Sequence, residues 1–409
     1  MTTVDLTSEA FQANPYPSYA LLREQGPVHR VTGAMGLESW LITRYEEART
    51  ALNDQRLSKD ARLSPEWLHA LGAGSDDEGP LGQNMLNSDP PDHTRLRRLV
   101  SRGFTRHRVE ALRPRVQKIT DGYLDEMMGR SEVDLMAALA FPLPITVICE
   151  LLGIPADDRD EFGSWTRMAL SPPLTEEAVH NRRLGNENMD RYVLDLLARM
   201  RSEVDLTLGD DAQPDLVSAM VAASDDQDRL SERELLGSIK LMLVAGHKTT
   251  VNLIGNGMLA LLRHPDQLRL LRERPDLLPS AIEEMLRYDG SVERATMRFA
   301  TEDVEIGGVT IPRGGAVSIV LAAADRSPDQ FADPDRLDIT RRNNPHVAFG
   351  HGIHFCLGAP LARMEGQVAF GSLLGRFPDI RLGCAPEELR WAVGGPNIIR
   401  GLAGLPVKL

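Results

Sequence analysis

Phe349-Gly350-His351-Gly352-Ile353-His354-Phe355-Cys356-Leu357-Gly358 is the stretch on which the reading of this chain turns. Glycines on both sides of Cys356 let the backbone approach a large planar ligand closely. Apolar spacing from Leu361 to Phe377 predicts a helix just beyond it. Cys356 then stands at or just before a helix N-terminus, where unsatisfied N–H groups and the positive helix end favour a thiolate. A lone cysteine in such a turn is more often a small buried apolar residue, so the rest of the chain has to decide.

The other cysteines, Cys149 and Cys384, do not have the paired spacing of a zinc or iron–sulfur site, and three in all make a disulfide scaffold a poor reading. With 409 residues, 42% apolar and 26% charged, the chain has the composition of an ordinary globular protein with a large core. Its net charge of -13 repels nucleic acid and anionic lipid. One stretch runs the other way: Arg95, Arg97, Arg98, Arg102, Arg106, Arg108, Arg113 and Arg115 face essentially Glu110 alone. The first residues have neither the basic start nor the apolar run of a signal peptide, and no later stretch reaches a membrane span. A cytoplasmic protein with no membrane anchor and no nucleic-acid partner is expected.

Working outward, Trp40 to Tyr45 reads as a strand running into a helix near Glu46, and Gly72 to Gly82 as an exposed loop, either a lid or a surface insertion. Between Arg108 and Arg201 apolar residues recur at helical spacing, with breaks at Pro142, Pro144, Pro155 and Pro172-Pro173. Ser231 and Glu234 have the form of a capping box, and the helix they open continues to Leu262 before His264-Pro265 stops it. At about 1.5 Å per residue its roughly 30 residues span about 45 Å. Val304 to Ile311 predicts two short strands joined by Gly307-Gly308, while Val317 to Ala324 fits either strand or buried helix. The expectation is one domain over residues 1–409, mostly α with a small β region, strand-rich near 28–60 and 290–325, with a ligand loop at 349–358.

The motif around Cys356 resembles the haem-binding signature FxxGxxxCxG of cytochromes P450, through Phe349, Gly352, Cys356 and Gly358. The likeness runs from Asn14-Pro15-Tyr16-Pro17 to Arg400-Gly401-Leu402. In appearance it is nearest the bacterial class I enzymes, among them the actinobacterial macrolide and polyketide hydroxylases. It implies the P450 fold, with the long helix crossing haem b, and Cys356 as the iron ligand with Phe349 near its sulfur. Glu284 and Arg287, three apart on a helix that Ser280 and Glu283 would cap, match the family's ExxR pair, with a third member sought around Arg336. His93, Arg97, Arg298 and His354 match positions that contact haem propionates, a use that suits cationic donors facing carboxylates.

In the long helix, Ala245, Gly246, Lys248 and Thr249 fall where the family binds oxygen at a kink. The small residues would leave room over the iron and Thr249 would orient water during proton delivery. Lys248 departs from the acid usual there; a charged lysine cannot accept a hydrogen bond, so water bypasses it, its neutral form takes part, or catalysis is altered. Substrate-contact segments map to Met85, Leu86, Asn87, Ser171 to Leu174, Leu243, Val244, Val292, Ala295, Ile398 and Ile399, each of which could equally be core.

The resemblance implies a monomeric monooxygenase that hydroxylates or epoxidises a bulky polyketide or macrolactone. Its electrons would come from NAD(P)H through a ferredoxin reductase and an acidic ferredoxin steered by the arginine-rich stretch. Two other readings stay open: oxidation of a steroid-like or terpenoid lipophile, and a haem-binding or electron-transfer protein whose oxygen activation Lys248 impairs.

Overall fold

Apolar residues on all sides of one helix place it at the centre of the molecule. This is α8, Glu232–Arg263, and both halves of its capping box form: Glu234 N–H donates to Ser231 Oγ at 3.2 Å and Ser231 N–H to Glu234 Oε2 at 2.8 Å. Its 32 residues end at His264, because Pro265 has no N–H to continue the ladder. The structure, a computed structural model, describes residues 6, 8–32, 38–65, 82–169, 175–209, 212–223, 230–392 and 398–409. The loop expected at 72–82, apart from Gly82, and the segment 171–174 lie outside them.

Around α8 the described helices include α1 (Tyr16–Gln25), α2 (Tyr45–Asn53), α3 (Asp92–Ser101), α4 (Arg113–Met127), α5 (Pro142–Leu151), α6 (Arg159–Ala169), α7 (Glu176–Glu203), α9 (Leu278–Asp289), α10 (Leu321–Ala324) and α11 (Ala359–Arg376). The largest apolar core lies among α4, α5, α8, α9 and α11. Pro142 and Pro144 lie in the first turn of α5, where proline is tolerated, and so mark its start just after the π-helical turn Met136–Ala140.

Ten short strands are described: β1 (Val28–Thr32), β2 (Glu38–Ile42), β3 (Leu57–Ser58), β4 (Glu132–Asp134), β5 (Arg298–Ala300), β6 (Val304–Ile306), β7 (Val309–Ile311), β8 (Ala316–Ile319), β9 (Arg381–Leu382) and β10 (Pro406–Lys408). One sheet has the order β1-β2-β8-β5-β3, with β2 and β8 parallel and the other neighbours antiparallel. β6 and β7 form the expected hairpin, and its turn works because Gly307 (φ 56°) and Gly308 (φ 77°) both adopt positive φ.

At three places the structure adds to the sequence reading or corrects it. The run from Val317 to Ala324 is both things it could be, since β8 passes directly into α10. Ser280 does not cap α9: the helix already starts at Leu278 with Pro279 in its first turn, and the Ser280 hydroxyl donates to the carbonyls of Leu277 (2.9 Å) and Ile339 (2.7 Å). The sheet β4-β10-β9 had no sequence signal, because strands of two or three residues are too short to show alternation.

Candidate active site

The turn before Cys356 needs its glycines. Gly350 and Gly352 both have φ 73°, and a Cβ on Gly352 would lie 2.8 Å from Asn53 Oδ1 and 3.1 Å from the Leu52 carbonyl at the end of α2. Cys356 N–H donates to the Phe349 carbonyl at 2.9 Å, closing the loop three residues ahead of α11. Burial pushes the Cys356 thiol up, opposed by the N–H groups of Gly358 and Ala359 and by the Arg97 and Arg363 guanidiniums. A single thiolate so held suits axial ligation to one metal, which deprotonates a coordinating thiol outright. The Phe349 ring lies under Arg363 (4.6 Å from ring centre to guanidinium carbon) and 6.2 Å from the Phe355 ring.

Beside this loop the fold gathers cations. His93 and Arg97 project from one face of α3, Arg298 from β5 and His354 from the loop, with the His93 and His354 rings 4.4 Å apart. Arg97 donates to the Phe355 carbonyl at 2.7 Å. Lys59, which sequence reasoning missed, joins them because β3 pairs with β5: its buried ammonium donates to Thr296 Oγ1 and to the carbonyls of Thr296 (3.0 Å) and Met297 (3.1 Å). Burial and the positive charges of Lys59, His93, Arg298 and Arg97 drive His354 down to about 2. Asp89 is the acid of this corner, and it is already taken by the Ser58 hydroxyl and the Lys59 N–H.

His93 is 2% exposed and Arg298 4%, yet both His93 ring nitrogens and Arg298 Nε have no hydrogen-bond partner in the structure. Orphaned donors amid surplus positive charge, next to a glycine-flanked cysteine, fit a planar ligand carrying two carboxylates. The residues present therefore fit haem b.

On α8 the oxygen-site residues divide. Ala245 is exposed although the helix around it is largely buried, whereas a Cβ on Gly246 would meet Ile148 of α5 at 2.9 Å. Gly246 serves close packing against α5 rather than sharing the face that Ala245 presents. α8 continues without a break through these positions, and the Thr249 hydroxyl donates to the Ala245 carbonyl at 2.6 Å, which leaves its oxygen able to accept. His247 packs edge-on against Phe141 at 4.6 Å, and Lys248 is half-buried.

Behind the loop, Glu284 and Arg287 are fully buried and bonded twice, at 2.8 Å each. Arg287 also donates to the carbonyls of Asp325 (3.0 Å), Pro334 (2.7 Å) and Arg336 (3.0 Å). The third charged member is Arg341, 3.1 Å from Glu284 Oε2, and not Arg336, whose side chain is exposed and whose contribution is its backbone oxygen. Neighbouring Glu283, also missed, binds Arg363 (2.7 Å) and His346 (3.0 Å) and so ties α9 to α11. Burial alone would raise its carboxyl, but those bonds prevail and hold it near 2.

Of the substrate candidates, Met85, Leu86 and Asn87 share one turn. Val292 pairs with Ile399, Glu293 N–H donates to the Ile398 carbonyl at 2.8 Å, and Ala295 N–H to Ile319 at 2.9 Å, so these segments adjoin. Leu243 is a core residue, 1% exposed, and Val244 beside it is half-buried. The arginine stretch is partly neutralised from within: Arg95 pairs with Glu234, Arg113 with Glu110 at 2.9 Å and Arg115 with Glu150 at 2.6 Å.

Comparison with known proteins agrees with this geometry. Residues 12–378 match the family described as Cytochrome P450. The chain is 45% identical to a 6-deoxyerythronolide B hydroxylase of Saccharopolyspora erythraea, covering 100% of both chains. It is 47% identical to a vitamin D(3) 25-hydroxylase of Pseudonocardia autotrophica, covering 99% of this chain and 96% of that one. The polyketide synthase cytochrome P450 PksS of Bacillus subtilis superposes with a TM-score of 0.89 at 38% identity, over 98% of each chain. The chain belongs to the cytochrome P450 family and is a haem-thiolate monooxygenase of the bacterial class I type. No described helix is long and apolar enough to cross a membrane.

Proposed function

We propose that this monooxygenase hydroxylates or epoxidises a bulky polyketide or macrolactone. The observation that carries the reading is end-to-end similarity to the 6-deoxyerythronolide B hydroxylase. Bound haem supplies dioxygen activation and oxygen-atom transfer, with thiolate donation pushing electron density toward the iron. Cys356 holds the iron, and the N–H groups of Gly358 and Ala359 temper the charge on its sulfur. Arg97, Arg298, His93 and His354 orient the macrocycle through its carboxylates. Thr249 accepts a hydrogen bond from water and so orients it, its own hydrogen being held by the Ala245 carbonyl. Apolar side chains of Met85, Leu86, Val244, Val292, Ala295 and the Ile398-Ile399 turn form the wall for the substrate, and Asn87 brings no charge to it.

Electrons reach the haem of a monomer from NAD(P)H through a reductase and an acidic ferredoxin. The arginine-rich stretch from Arg95 to Arg115 steers that ferredoxin as a cluster. The rate of haem reduction by such a ferredoxin therefore falls as salt rises. A second reading, oxidation of a steroid-like lipophile, is favoured by the similarity to the vitamin D(3) 25-hydroxylase. The test is the low-spin to high-spin shift of the purified protein titrated with 6-deoxyerythronolide B, vitamin D(3) and a small terpene, followed by mass-spectrometric identification of oxygenated product. Turnover confined to the terpene, with no macrolactone binding, refutes the first reading.

A further inference from the structure

One face of α8 carries two unusual features. Gly237 and Ala245 are eight residues apart, a spacing that stays on one broad helical face, about 80° round and about 12 Å further along. Ala245 is exposed at the oxygen site. At Gly237 the chain leading into the Met85–Asn87 turn lies directly on the helix: an added Cβ would overlap the Gln83 carbonyl oxygen and lie 2.8 Å from its carbon and 3.0 Å from the Gln83 nitrogen. These are backbone atoms, so no rotamer change could relieve the overlap. Gly82, with φ 62°, faces Gly237 across the same contact.

The turn that follows is built on Asn84, which is fully buried. Its amide donates to the Gly82 carbonyl at 2.8 Å, its Oδ1 accepts from the N–H groups of Leu86 (2.9 Å) and Asn87 (3.3 Å), and its carbonyl accepts from Ser88 Oγ at 2.8 Å. Downstream the segment is held twice more, by Asp89 on the Ser58 hydroxyl and Lys59 N–H at the cationic corner, and by Arg95 on Glu234 of the α8 capping box. The turn therefore spans from the upper part of α8 to the edge of the haem site, with both ends fastened.

We propose that Gly237 and Asn84 are positioning residues for substrate selection: the packing of Gly237 on the Gln83 backbone and the hydrogen bonds of Asn84 within the turn together set how far Met85, Leu86 and Asn87 stand from the face of α8 that carries Ala245. The inference rests on the assignment of that turn to the substrate wall and is indifferent to which lipophile is bound. A side chain at position 237 displaces the turn outward and widens the site, whereas loss of the Asn84 side chain releases the turn without touching α8.

The experiment compares haem-loaded wild type with Gly237→Ala, Asn84→Ala and Gly375→Ala. Gly375 is the control, a helical glycine whose added Cβ meets nothing within 4 Å. Spectral dissociation constants are measured for 6-deoxyerythronolide B, vitamin D(3) and cyanide, and hydrogen exchange is followed by mass spectrometry over residues 82–90 and 349–358. G237A and N84A weaken whichever bulky ligand wild type binds by about tenfold or more, the scale of a lost apolar contact in a pocket. They also speed exchange over 82–90 and leave cyanide affinity and exchange over 349–358 as in G375A. Unchanged bulky-ligand affinity, unchanged exchange over 82–90, or an equal loss of cyanide affinity each overturns the proposal. A wild type that binds vitamin D(3) and no macrolactone refutes the polyketide reading alone, because the anchor is then tested on vitamin D(3). If neither lipophile binds, exchange over 82–90 decides the anchor by itself.

Discussion

Replacing Arg341 with alanine removes one of five N–H donors that converge on the fully buried Glu284 carboxylate. The others are Arg287 Nε and one terminal nitrogen, each at 2.8 Å, the Asp338 N–H at 2.9 Å and the Asn344 amide at 3.2 Å. Arg287 still balances the charge in R341A, so the cost at Glu284 is that of one charge-assisted bond, about 1.5 to 3 kcal/mol, with the Arg341 bond to the Ala332 carbonyl (2.9 Å) lost as well. Glu284→Gln costs more: it turns an acceptor into a donor facing other donors and strands Arg287 in the core, a loss of about 3 to 5 kcal/mol. Arg336→Ala keeps the carbonyl that Arg287 uses and removes an exposed side chain, so it stays within about 0.5 kcal/mol of wild type. The network anchors the segment from Asp325 to Asn344, just before the Cys356 loop, so its loss registers at the haem. Urea titrations of the haem-loaded variants, followed by far-UV circular dichroism and by the carbon-monoxide-bound thiolate band, measure the ranking E284Q, R341A, R336A. Equal destabilisation by R336A and R341A refutes the assignment of Arg341.

Cys356→Ala abolishes the red-shifted Soret band of the reduced carbon-monoxide complex, while Cys149→Ala and Cys384→Ala keep it; a folded C356A variant with that band removes the ligand assignment. Lys248→Glu raises the fraction of consumed NAD(P)H that appears as product, and Thr249→Ala in the same background returns that fraction toward peroxide release; equal coupling in wild type and K248E shows that Lys248 does not limit proton delivery. Asp325, raised to about 7 by burial, makes the fold less stable as pH climbs from about 4, its unfolded value, through 7, because the unfolded chain releases the proton first. Asp325→Asn still offers an oxygen to the Val347 N–H, bonded at 2.7 Å, and flattens that part of the stability profile; an unchanged profile places the dependence elsewhere.

The elements legible in the sequence were those whose physics is local. The capping box of Ser231 and Glu234, the Gly307-Gly308 turn and the glycines around Cys356 each impose a backbone geometry within a few residues, and the structure has all three. The roles expected of Cys356 and of the Glu284–Arg287 pair were legible only through the family resemblance, since spacing alone fits a buried cysteine and a solvated surface pair better. The cysteine spacing also argued against a chelating cluster and left Cys356 as the candidate ligand.

What only the tertiary structure decided are pairings between distant segments. Lys59 enters the cationic corner because β3 runs antiparallel to β5, a register no local pattern announces. Arg341 rather than Arg336 reaches Glu284, while Arg336 is exposed and contributes its backbone carbonyl, a choice between two nearby arginines that no local pattern makes. Gly246 and Gly237 look alike along α8, yet one lies against α5 and the other against the Gln83 backbone. A helical period reports which residues share a face, but what covers that face is set by packing of chain that is remote in sequence.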